Sequence, residues 1–187
     1  MRVGRTGARP FIGTGWYRYD FGWRPFREGQ CYRLEFDGAM SRAEVYVNGQ
    51  LAGTRPYGYS SFAFDITDLL QEGSRNIVAV RLENLPESSR WYPGAGLYRH
   101  VRLVRMSPVH VAHWGTCVTT PQVGADSATV VVRTGVENLR ESPDVELKTT
   151  ILDPDGRTVA ESVVALSGDR LGESVQEFRL GAVRKWD

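Results

Sequence analysis

Cysteine is scarce in this sequence, and what little there is points away from metal. Cys31 and Cys117 are the only two. They stand far apart, so no C-x-x-C pair offers zinc its usual close ligands. Two thiols allow one disulfide, but two small buried or half-buried side chains are the plainer expectation. Charge of one sign is also lacking. The formal net charge is +1, which sets up no field for nucleic acid or an anionic membrane, and neither is expected as a partner. No run approaches the roughly 20 apolar residues of a membrane helix. The basic start Met1-Arg2-Val3-Gly4-Arg5 has no apolar core behind it, so no secretory-leader pattern is visible. Long charge runs are missing too, which leaves disorder only for the ends. No stretch of 10–12 residues carries helical spacing. That disfavours a βαβ fold, whose crossovers need such helices.

What is present is alternation with a period of two, the mark of a half-buried strand. Tyr32, Leu34 and Phe36 share one face, as do Ala43, Val45 and Val47, then Val78, Val80 and Leu82, and Val101 with Leu103. Asn48-Gly49 follows the second set, and both residues tolerate the positive φ of a type I′ turn. A hairpin is expected from about Arg42 to Gly53. One short helix is expected at Thr67-Asp68-Leu69-Leu70, capped by Thr67 and ended by Gly73.

A boundary is expected near Met106-Ser107-Pro108. Of the 20 Trp, Tyr and Phe residues, only Phe178 and Trp186 lie beyond Trp114. The later strands are simpler: Ala128, Val130, Val132, Thr134 and Val136 on one face, then Val145, Leu147, Thr149 and Ile151. Asp153-Pro154-Asp155-Gly156 is a strong turn between two of them. Short strands with turns every 8–12 residues suggest an immunoglobulin-type sandwich.

Chemistry is harder to find. Asp and Glu are many, but spacing picks no facing pair of the kind glycoside hydrolysis needs. Glu35 and Glu44 read as solvated strand positions. His110 and His113 are three apart, which on a regular strand puts them on opposite faces and argues against a shared metal. His100 stands alone. Gly58-Tyr59-Ser60-Ser61-Phe62 lacks the second glycine of a nucleophile elbow. Gly13-Thr14-Gly15 and Gly94-Ala95-Gly96 sit among strands, not before a helix, so they read as turns and not as phosphate loops. No catalytic residue, metal ligand or cofactor is assigned.

The segment that stands out is Ser89-Arg90-Trp91-Tyr92-Pro93-Gly94-Ala95-Gly96-Leu97-Tyr98-Arg99. It joins two strands and is too long for a hairpin turn. Aromatic faces stack on sugar C–H faces, and Arg donates fixed hydrogen bonds to hydroxyls or carboxylates. Loops of this kind serve binding, or they plug the end of a sandwich, and the residues alone allow both. Trp16, Tyr17, Trp23, Tyr57 and Tyr59 are weaker candidates of the same sort.

Several pieces in order resemble the sugar-binding domain of family 2 glycoside hydrolases. They are Phe36-Asp37-Gly38-Ala39 through Ala43-Glu44-Val45-Tyr46-Val47-Asn48-Gly49, then Gly58-Tyr59, then Phe64-Asp65-Ile66-Thr67-Asp68-Leu69-Leu70. Asn76-Ile77-Val78-Ala79-Val80-Arg81 follows, and Arg90-Trp91-Tyr92-Pro93-Gly94-Ala95-Gly96-Leu97-Tyr98-Arg99 closes the set. The resemblance runs from about Gly15 to Val104. It implies a jelly-roll, then an immunoglobulin-like sandwich, then a catalytic (β/α)8 barrel. The family's acid/base Glu follows an Asn, and no Asn-Glu dipeptide occurs here.

The expectation is therefore an all-β chain. Residues 1–107 form a galactose-binding-like jelly-roll with an incomplete start, because Met1 to Ile12 does not resemble the family. Residues 108–187 form an immunoglobulin-like β-sandwich that lacks its last strand, since Trp186-Asp187 reads as the approach to it. By the resemblance, the parent is an exo-acting, retaining hydrolase of β-linked sugars, first a β-galactosidase, with β-glucuronidase and β-mannosidase as relatives. This portion would be non-catalytic, with carbohydrate and the parent's barrel as partners and a homo-oligomer of the parent allowed. Arg90, Trp91 and Tyr92 are the expected substrate-binding residues. Arg90 would donate to hydroxyls and Trp91 would wall the pocket. The Arg90–Gly96 run lacks the acidic residue of some relatives, which leaves the sugar open. The rival expectation is a free-standing carbohydrate-binding or adhesive protein.

Overall fold

The computed structural model describes residues 12–22, 26–27, 29–86, 95–138, 144–166 and 171–183. The chain divides into two compact units, Met1–Met106 and Ser107–Asp187. Among the described residues, the regular structure is twelve strands and one 3-10 turn.

The first unit packs two sheets on one core. One sheet has the order β1-β6-β3-β4, built from Gly13–Asp20, Ile77–Asn84, Ala43–Val47 and Gln50–Arg55. The other has the order β5-β2-β7, built from Phe62–Asp65, Cys31–Phe36 and Val101–Met106. The alternation dictates the packing. Tyr32, Leu34 and Phe36 of β2, Ala43, Val45 and Val47 of β3, and Val78, Val80 and Leu82 of β6 are all buried. Phe36 is fully enclosed and stacks on Phe62 with ring centroids 4.7 Å apart. Burying such side chains supplies roughly 1.5–3 kcal/mol each and holds the sheets together. On edge strand β7 the alternation weakens, and Val101 is 40% exposed.

The β3–β4 hairpin turns on Asn48 (φ 51°) and Gly49 (φ 82°), the two positive angles a type I′ turn requires. A bulge at Val45/Tyr46 lets Gly53 meet the Phe64 ring, with no room there for a Cβ. The expected helix is a 3-10 turn, Thr67–Leu69, and Thr67 does not cap it. Its hydroxyl instead donates to Asp65 Oδ1 (2.6 Å) and accepts the Tyr32 N–H (2.9 Å). The turn is thereby tied to the start of β2, and that tertiary bond takes the place of the cap.

The second unit has the sheets β12-β9-β8 and β10-β11. Their strands are β8 (His110–Val123), β9 (Ser127–Glu137), β10 (Val145–Leu152), β11 (Thr158–Leu166) and β12 (Leu171–Gly181). Val130, Val132 and Phe178 are buried against Ile151, Ala160 and Leu180. Gln176 crosses the core, its amide donating to Ser162 O and its carbonyl accepting from Thr149. At Asp153–Arg157 the carboxylate of Asp153 accepts the N–H groups of Asp155 and Arg157, and Gly156 takes φ 82°.

Strand β8 is less regular than the sequence suggested. Its pairing with β9 slips between Val111 and Thr116, so strict alternation is broken there. His110 and His113 are both half-buried, where a regular strand would separate their environments. No metal-binding cluster forms among the described residues. His110 Nδ1 lies 2.9 Å from the carbonyls of Ser107 and Pro108, and its Nε2 lies 3.5 Å from Glu137. Both cysteines are thiols. Cys31 is half-buried, and Cys117 is exposed where a half-buried site was expected.

Candidate functional site

Arg90, Trp91 and Tyr92 lie outside the described residues, as does Trp23. The roots of their loop are described, and they are held tightly. At the outgoing root, Glu83 N–H donates to Ser41 O at 2.9 Å, and the Ser41 hydroxyl donates back to Glu83 O at 2.9 Å. At the returning root, Met40 and Gly96 exchange two backbone bonds of 3.0 Å. Two consecutive residues, Met40 and Ser41, therefore clasp both ends of the 84–95 segment. Gly96 takes φ 110°, an angle that calls for glycine, and the Tyr17 hydroxyl reaches the place where a Cβ would stand.

Tyrosines surround the clasp. The Tyr98 hydroxyl donates to Gly58 O at 3.0 Å, and its ring covers Gly38 so closely that a Cβ there would sit 2.5 Å from the phenol oxygen. A Cβ on Gly58 would sit 2.5 Å from Met40 Sδ. The glycines of Phe36-Asp37-Gly38 and Gly58-Tyr59 thus share a cause, since each clears space for a side chain of the clasp. Tyr57 and Tyr59 pack edge to face, 5.7 Å apart, and stay 60% and 43% exposed. The Arg99 guanidinium stands 5.6 Å from the centre of the Tyr98 ring. Exposed rings with a cation among them present C–H-stacking faces and hydrogen-bond donors together.

Carboxylates nearby are engaged. Asp37 takes both oxygens to Arg102 Nη1 at 2.8 Å, and that bond holds its carboxyl below the usual range. Glu44 and Glu83 flank Arg81 at 2.8 and 2.6 Å. Tyr46 donates its phenol to Glu44 at 2.7 Å, which pushes the phenol's pKa up. Glu35 and Glu44 were expected as solvated positions; both are half-buried, and Glu35 is paired with Arg33 at 2.9 Å. Of the other ring candidates, Trp16 lies 5.8 Å from Tyr46 on the outer sheet face and is 59% exposed.

Between β1 and β7 a cleft of about 520 Å3 opens onto Tyr17, Tyr19, Leu97 and Val101, with no carboxylate among the described residues of its wall. A second cavity, about 310 Å3 beside Phe26 and Tyr32, has Glu72 as the one acidic residue among the described ones that line it. Neither offers the facing carboxylates of a glycosidase centre. The Arg-bearing loop and the tyrosines were legible in the sequence. The Met40-Ser41 clasp was not, because all but one of its bonds are made by backbone that any residue type could supply, and the Ser41 hydroxyl that makes the other announces no partner in the sequence.

Residues 2–107 match the family model "Glycosyl hydrolases family 2, sugar binding domain". Residues 2–12 fall inside that match, although the sequence reading placed the resemblance only from Gly15. Over 152 residues, 80% of this chain, identity to Beta-galactosidase BoGH2A of Bacteroides ovatus is 41%. Identity to a beta-glucuronidase of Formosa agariphila is 33% over 172 residues, 80% of this chain. The chain spans 18% of the length of each. A solved glycosyl hydrolase family 2 member from Bacteroides cellulosilyticus superposes with a TM-score of 0.85 at 36% identity, over 94% of this chain and 25% of that one. The chain belongs to glycosyl hydrolase family 2, and its first unit is the family's sugar-binding β-sandwich.

Proposed function

We propose that this chain is the non-catalytic portion of a glycosidase acting on β-linked sugars, of β-galactosidase type. The first unit contributes to holding the sugar, through Arg90, Trp91 and Tyr92. The second, an immunoglobulin-like sandwich, serves as scaffold for the parent enzyme's catalytic barrel. The observation that carries this reading is the clasp. Met40 and Ser41 fix both roots of the loop beside Tyr57, Tyr59 and Tyr98, at an end of the sandwich rich in exposed rings. A loop with fixed roots positions its side chains at lower entropic cost. Identity supports the sugar: 41% to the β-galactosidase against 33% to the β-glucuronidase.

The test belongs in the full-length enzyme. Arg90→Ala and Trp91→Ala should each lower kcat/KM on an aryl β-galactoside by tenfold or more, about 1.4 kcal/mol of transition-state stabilisation. Folded variants with unchanged kinetics on galactoside, glucuronide and mannoside would reduce the loop to a plug for the sandwich end.

A further inference from the structure

Trp114 has a backbone that needs explaining. It sits at φ 58°, a left-handed conformation costly for a bulky residue, and its side chain is 76% exposed. The cause is the slip in β8 between Val111 and Thr116. Bulges of this kind re-aim a side chain. The next residue completes the device: a Cβ on Gly115 would lie 2.8 Å from both Ala112 Cβ and Ala112 O, so only glycine fits the bulge. His113 packs edge-on to the indole, 5.6 Å away, and steadies it. Strain, a glycine-only neighbour and a supporting ring all serve to hold one large apolar side chain in water.

Beside that indole is a depression of about 430 Å3. Glycines from three adjacent strands, Gly115, Gly135 and Gly172, leave its floor without side chains, and Arg133 and Glu173 stand in its wall. The two charges are 3.8 Å apart, beyond hydrogen-bond length, and are 57% and 65% exposed. Both therefore keep capacity for an incoming partner. The composition selects the occupant. An apolar knob from a protein would want aliphatic walls, and among the described residues the lining adds only the Cys117 thiol to those side chains and holds no aliphatic one. A pyranose ring wants one flat aromatic face for its C–H groups and a few donors and acceptors for its hydroxyls.

We propose that Trp114, Arg133 and Glu173 form a second sugar-binding site, on the second unit, for a neutral pyranose. The sugar stacks on the indole, Arg133 donates to its hydroxyls, and Glu173 accepts from one. The Arg133–Glu173 pair sums to no net charge, which suits a neutral sugar better than a uronic acid. This site shares no residue with the Arg90–Tyr92 loop, and the proposal does not rest on that loop.

The experiment is a titration of the isotope-labelled 187-residue chain with methyl β-galactopyranoside, followed by amide and indole NMR. The expected result is saturable, millimolar-range shifts at the Trp114 indole and the amides of Gly115, Gly135 and Gly172. Trp114→Ala should abolish the glycine shifts, and Glu173→Gln should weaken binding several-fold. Arg90→Ala/Trp91→Ala should leave them unchanged, which separates this site from the loop. Because Trp114 and Glu173 are exposed, both variants should keep the wild-type amide spectrum elsewhere. Absence of saturable shifts at the three glycines, their persistence in Trp114→Ala, or tighter binding of methyl β-glucuronide would each overturn the proposal.

Discussion

Asn76 is fully buried yet polar, and it works as a junction. Its carbonyl oxygen accepts from Asn48 Nδ2 at 2.7 Å and from Gln71 N–H at 2.8 Å, while its own amide donates to Gln71 O and Ser74 O. Asn48 donates onward to Leu69 O and accepts from Ile77 N–H. One pair of amides thus joins the β3–β4 turn, the 3-10 turn and the start of β6. Asn76→Ala strands several buried partners and should cost about 2 kcal/mol in urea unfolding of the chain, within the usual range for such losses. Asn48→Gly keeps the turn angles but loses the bonds, and a double-mutant cycle should show the two changes to be strongly non-additive. Gly53→Ala should cost about 1–3 kcal/mol, because the added methyl meets the Phe64 ring packed on the core. At acid pH the ion pairs matter. Asp37 and Asp20 are both held below the usual carboxylate range, first by their hydrogen bonds to Arg102 and Arg75. A depressed folded pKa adds stability above the unfolded value of about 3.9, and that stability disappears as pH falls through the folded value. Asp37→Asn should therefore lower the melting temperature near neutrality and flatten its fall on acidification. A variant with the wild-type acid slope would show that the Asp37–Arg102 pair contributes nothing.

At the level of elements, the strands were legible and the exceptions were tertiary. Val45, Val47, Val78 and Val80 alternate because one face of each strand is buried, and that pattern survives in any arrangement of the sheets. Thr67 was misread because its hydroxyl has two uses, capping and bonding across to Tyr32, and only the fold decides between them. The His110–His113 argument assumed a regular strand. The bulge that breaks it depends on the close approach of Gly115 to Ala112, which no local pattern announces. The loop was legible as a feature through its rings and Arg90, while its attachment lay in the backbone of Met40 and Ser41 and in the Ser41 hydroxyl. That attachment can be tested. Ser41→Ala removes the hydroxyl bond to Glu83 O and should speed hydrogen exchange at the Glu83 amide several-fold, with little change at Val45 or Val80 in the core. Uniform exchange changes across the first unit would mean that Ser41 supports the fold generally and not the loop root.

For the whole molecule, the two units are built for different demands. The first has a large aromatic core and concentrates its exposed tyrosines around the clasp. The second has a thin core of Val130, Val132 and Phe178, supplemented by the cross-sheet bonds of Gln176. Among the described residues, neither unit shows facing carboxylates in its cavities. The proposal above gives these units sugar handling and leaves bond cleavage to the parent enzyme's barrel. The most direct measurement is turnover by the purified 187-residue chain on aryl β-galactoside, β-glucuronide and β-mannoside. The predicted result is release of aryl alcohol at the buffer rate for all three. Turnover that scales with the amount of this chain and survives repurification would contradict the account, because it would require a catalytic pair within these two units.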